Sequence, residues 1–172
     1  PGREEVARVV RSKSKLAVLL LTSVIEWFTQ RHYIEHVQDE ADLDGLFRDL
    51  LKFHWMEESQ HAKMDTLLIG EIAEEMTMDE REAAIDEVIE LGGAIDGLLS
   101  QQIALNIDAL EAATGRTFTA AEKEEITAST QRAWRWTFLV SGLSHPNVVK
   151  VVSEITNEGV GKVTAVIEAL SA

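Results

Sequence analysis

Apolar residues recur at helical intervals along almost the whole chain. The polar clusters Gln38–Asp44, Thr77–Asp79, Thr114–Thr119 and Ser144–Asn147 interrupt them, so the spacing predicts helices over 4–37, 42–76, 79–113, 119–142 and 146–170. The turns offer capping residues such as Asp42, Thr77 and Thr119. Thr119-Ala-Ala-Glu122 has the spacing of a capping box, and Pro146 suits the first turn of the last helix. The second and third helices are each about 35 residues, or roughly 52 Å. Long antiparallel helices on short loops make an up-down four-helix bundle, here with an additional C-terminal helix.

Composition narrows this further. The 172 residues fit one domain, 1–172. Proline occurs only at Pro1 and Pro146, so nothing between them forces a helix to break, and the predicted fold class is all-α. The net charge of −14 opposes a phosphate backbone, and no basic patch with interleaved aromatics offsets it, so nucleic acid is not an expected partner. Zero cysteines exclude disulfides, thiolate nucleophiles and Cys-ligated metals, so any metal must be held by N and O ligands. The strongly apolar run Leu16–Phe28 is shorter than the ~20 residues a bilayer demands and contains Glu26, so it reads as a buried helix and no membrane is expected. No signal-peptide pattern opens the chain at Pro1, and the expected location is cytoplasmic. Glu71–Glu90 holds nine acids against Arg81 alone and reads as a solvated bundle end.

The candidate chemistry lies on the second predicted helix. At 100° per residue, Leu43, Phe47, Leu50, His54, Glu58, His61, Asp65, Leu68 and Ile72 fall within about 40° of one line. This predicted inward stripe carries His, Glu, His and Asp in succession at its middle. Burying them costs several kcal/mol without compensation, and a cation would compensate. Glu58 and His61 form a Glu-x-x-His pair, His54 lies one turn earlier, Glu57 sits at the stripe's edge, and Asp65 is placed to accept the second N–H of His61. Glu26 and Glu58 are 32 residues apart across one turn, which sets them level on adjacent antiparallel helices. Gln30 and Tyr33 share the Glu26 face, His32 and His36 read as surface residues, and His145 reads as a helix cap. The tryptophans read as packing.

Glu26 followed by Glu58-x-x-His61 resembles the first half of the ferritin-like di-iron carboxylate pattern, and His54-x3-Glu58-x2-His61 is similar to the ligand run of its N-oxygenase members. The resemblance covers about residues 16–72 and implies a ferritin-like bundle, iron with Mn or Zn as alternatives, O2 and a small-molecule substrate as partners, and an oxidase or oxygenase activity. The family's second half supplies another Glu and another Glu-x-x-His. Here no Glu-x-x-His follows His61, and no carboxylate lies between Glu125 and Glu154. Asp96, on the inward stripe of the third helix and level with Glu58, is the expected substitute, giving Glu26, His54, Glu58, His61 and Asp96 as metal ligands. Gly92, Gly93 and Gly97 beside it imply close helix contact or space for a ligand. The competing expectation is a metal-free binding module with a buried His/Glu polar network. A homo-oligomer is compatible with both.

Overall fold

The computed structural model describes residues 2–172, and these are helical with no strand among them. The elements are α1 (Arg3–Arg11), α2 (Lys15–His36), α3 (Gly45–Glu74), α4 (Met78–Thr114), α5 (Ala120–Arg135), a π-helical turn (Trp136–Val140), α6 (Ser141–Leu143), α7 (Pro146–Ile155) and α8 (Gly159–Ser171). None is long and apolar enough to cross a membrane.

Several predicted boundaries are held by the expected chemistry. Thr77 and Thr119 each close a capping box, with Glu80 and Glu122 returning the bond. His145 Nδ1 accepts from the Asn147 N–H at 3.2 Å ahead of Pro146, and Gly115 takes the left-handed conformation (φ 66°) that ends α4. Asp44, not Asp42, caps α3, accepting from the Leu46 and Phe47 N–H groups at 3.0 and 3.1 Å.

Two predicted helices are broken, and α4 does the breaking. The Glu87 carboxylate accepts the Ser14 N–H at 2.8 Å, while the Ser14 hydroxyl caps α2 by accepting from the Ala17 N–H at 3.2 Å. Likewise Glu82 Oε1 accepts the Asn157 and Glu158 N–H groups at 2.8 and 2.9 Å, where Thr156 is extended ahead of α8. Carboxylates at helix N-termini satisfy donors that the helix cannot. With Lys162–Asp86 and Lys13–Glu90 beside them, part of the acidic stretch fastens α2 and α8 to α4 rather than facing water alone.

The main core gathers Leu16, Leu20 and Val24 of α2, Ile69 of α3, Ile85 and Val88 of α4, Val152 of α7 and Val163 of α8. Gly142 of α6 presses onto the Val24 carbonyl so closely that a Cβ would overlap it. By contrast, a Cβ at Gly92 or Gly93 would meet nothing within 4 Å, because both border an apolar cavity of about 160 Å³ beside Leu21, Leu139 and Leu170. Those glycines therefore leave space rather than permit close helix contact.

α3 departs most from the predicted pattern. It packs along α2 and meets α7 near its C-terminal end. Its buried positions are Ala62, Asp65, Ile69 and Ala73, a face roughly 70° round the helix from the predicted stripe at 100° per residue. Phe47, Leu50 and His54, predicted inward, are exposed.

Candidate metal centre

The site lies beyond the main core, where α2 and α3 run side by side. Gln30 Nε2 donates to the Trp55 carbonyl at 3.0 Å, and the Tyr33 ring stacks on Trp55 at 4.9 Å between centroids. These two contacts fix the register that brings Glu26 level with Glu58. Glu26, Gln30 and Tyr33 are all buried on α2, one helical face.

Ligand atoms of Glu26, Glu58 and His61 converge within 4.8 Å of one another, and this is the one such cluster among the described residues. Glu58 is its hub. Its Oε2 lies 2.9 Å from His61 Nδ1 and its Oε1 lies 2.7 Å from His54 Nε2, so both oxygens are engaged by imidazoles one turn away on either side. The side chain of Glu58 is mostly covered, whereas the rings of His54 and His61 are 50% and 44% exposed. The cluster is thus closed by α2 on one flank and open to water on the other.

Its electrostatics follow from that half-burial. Burial pushes the Glu26 carboxyl up to about 8, helped by a hydrogen bond to Glu58 and by the Glu58 charge. Glu26 therefore holds a proton at neutral pH and donates it to Glu58. That hydrogen bond, with the one from His61 and the nearby His54 charge, holds Glu58 below the usual carboxylate range, and the bond to Glu58 in turn raises His61. The proton that two carboxylates share is what a cation displaces when it binds between them. Asp65, one turn past His61, is 8% exposed, is raised by burial, and leaves Oδ2 without a partner. It makes no hydrogen bond to His61, whose contact with Glu58 uses Nδ1, so the expected outer-shell role is not formed.

Asp96 requires a correction. Its carboxylate is held bidentate by Arg135 of α5, with Nε at 2.7 Å and a terminal nitrogen at 2.8 Å, and Arg135 keeps it below its ordinary range. Asp96 faces inward as its stripe predicts, but toward α5 and not toward the cluster. Arg135 is the residue the sequence reading missed. Its position after a run of α5 residues with no apolar stripe gave no sign of it.

His54 Nε2 sits 2.7 Å from Glu58 as an ion-pair neighbour outside the three-residue cluster. Glu57, His32 and His36 are exposed. His145, besides capping α7, stacks on Trp27 at 4.5 Å, and burial lowers its pKa.

The donor set fits a metal ion. Two carboxylates and an imidazole are hard-to-borderline ligands suited to Fe or Mn and compatible with Zn. No family model, curated protein or solved structure matches the chain.

Proposed function

We propose that the chain is a metal-dependent oxidoreductase of ferritin-like type, with Glu26, Glu58 and His61 as ligands to iron. The observation that carries this reading is the convergence of their ligand atoms within 4.8 Å on two adjacent helices. Bound there, iron supplies one-electron redox chemistry toward O2. Glu58 and His61 supply the Glu-x-x-His ligand pair of bundle-core metal sites. Glu26 loses its proton on loading and contributes the second carboxylate. His54 orients Glu58 or, by rotating its half-exposed ring, joins the ligand set. The open flank gives O2 and a small-molecule substrate access to the centre. The apolar cavity bordered by Gly92 and Gly93 lies on the α4 side of α2 and is not part of this centre.

One observation favours a second reading, a metal-free polar network. Both Glu58 oxygens already have partners and Glu26 is neutral, so the cluster satisfies itself without a cation. Anaerobic Fe(II) loading followed by air separates the two readings. The metal reading expects about one iron per chain by elemental analysis and new near-UV absorption, both lost in Glu58→Ala and His61→Ala. Iron below about 0.2 per chain, unchanged by either substitution, leaves the polar network as the reading.

A further inference from the structure

The cluster holds one Glu from one helix and a Glu-x-x-His pair from another. A dinuclear carboxylate site in a bundle core uses two of each, from four helices. Within this fold the second set is missing: no other such cluster exists among the described residues, and Asp96 is committed to Arg135.

The surface of α3 shows where a second set would come from. The predicted inward stripe, with His54, Glu58 and His61 at its middle, lies between two sides of the helix. One side is the buried face against α2. The other, with the stripe's own edge at Leu50 and Leu68, leaves two apolar groups in water on either side of the exposed Glu57 and Gln60: Leu46, Leu50 and Phe53 before the cluster, Met64, Leu67 and Leu68 after it, from 39% to 81% exposed. A helix whose hydrophobic pattern centres between one neighbour and open solvent is patterned for a second neighbour. At about 200 Å² per large side chain, the first group exposes roughly 400 Å² and the second roughly 300 Å², together near the ~800 Å² one partner gives to a standard interface.

We propose that a second copy of this chain docks on the open face of the α2–α3 hairpin, so that Glu26, Glu58 and His61 of both copies enclose one dinuclear metal site on a two-fold axis. This rests on the metal centre proposed above. The occupant is a second copy because what the site lacks is the set that one copy supplies, and an isologous contact places identical ligands opposite one another. Two α2–α3 hairpins together make a four-helix bundle around four carboxylates and two imidazoles.

The test uses the full chain with Mn(II) as the only added metal, followed by sedimentation and electron paramagnetic resonance. The wild-type chain should sediment as a dimer when loaded, with two Mn(II) per dimer and an exchange-coupled spectrum in place of the six-line signal of isolated ions. Leu50→Glu/Phe53→Glu changes only exposed side chains, so its circular dichroism melt should match the wild type. It should be monomeric and bind Mn(II) at least tenfold more weakly. A loaded wild-type monomer, isolated-ion spectra, or wild-type affinity in the monomeric variant would overturn the two-copy site while leaving the metal centre standing. Absence of metal binding in every assembly state would overturn the metal centre itself, and this proposal with it.

Discussion

Glu58 shows how much one side chain can organise. A carboxylate offers about four lone-pair directions, and here two imidazoles and a neutral carboxyl occupy most of them. This cluster was legible from residue type and spacing, because an acid inside an apolar run and a Glu-x-x-His pair one turn away both demand partners. Asp96 was legible as inward but not as paired, since nothing local to α5 announces which helix Arg135 will reach. Its ion pair makes a prediction. A carboxylate whose folded pKa is depressed contributes stability above its unfolded pKa, near 3.9, and loses it as pH falls through the lower folded value. Asp96→Asn should therefore cost about 1–2 kcal/mol at pH 7, the range for a partly buried charge-assisted pair. Urea titrations from pH 7 down to 2.5 should show that gap closing at the acid end. A gap of constant size would mean the pair acts by packing alone.

At the scale of elements, capping signals marked most helix ends because they are local: a Thr with Glu three residues on, or a His before Pro. The breaks at Ser12–Ser14 and Thr156–Glu158 were not legible, because the groups that stabilise them, Glu87 and Glu82, belong to a distant helix. The rotation of α3 was hidden for another reason. A wheel finds the centre of the apolar pattern, but burial follows the neighbours actually present. A close backbone contact between elements is that of Gly142 of α6 on Val24 of α2, next to the π-helical turn. Gly142→Val adds atoms where backbone cannot yield, and overpacking of this kind costs typically 1–3 kcal/mol or more. Thermal melts should place Gly142→Val well below the wild type, while Gly93→Ala, which faces open space, should melt at or above it.

For the molecule as a whole, the all-α fold class was legible from sparse prolines and continuous helical periodicity. Charge has a further consequence at this scale. A protein of net charge −14 gains when a divalent cation neutralises acids that folding has brought together, and a ligand bound only by the native state stabilises by RT ln(1 + [L]/Kd). Metal at a hundredfold excess over Kd should add about 2.7 kcal/mol and raise the melting temperature by several degrees. Glu58→Ala should melt at one temperature with and without metal. An unchanged wild-type melt at saturating Fe(II) or Mn(II) would argue for the self-satisfied polar network. The exposed imidazoles bear on timing as well. Because His54 and His61 stand half in water, an ion can enter and leave without any helix opening, so exchange with a chelator should be fast. Covering that flank would turn a labile site into a trap, and metal would then have to arrive before the cover does.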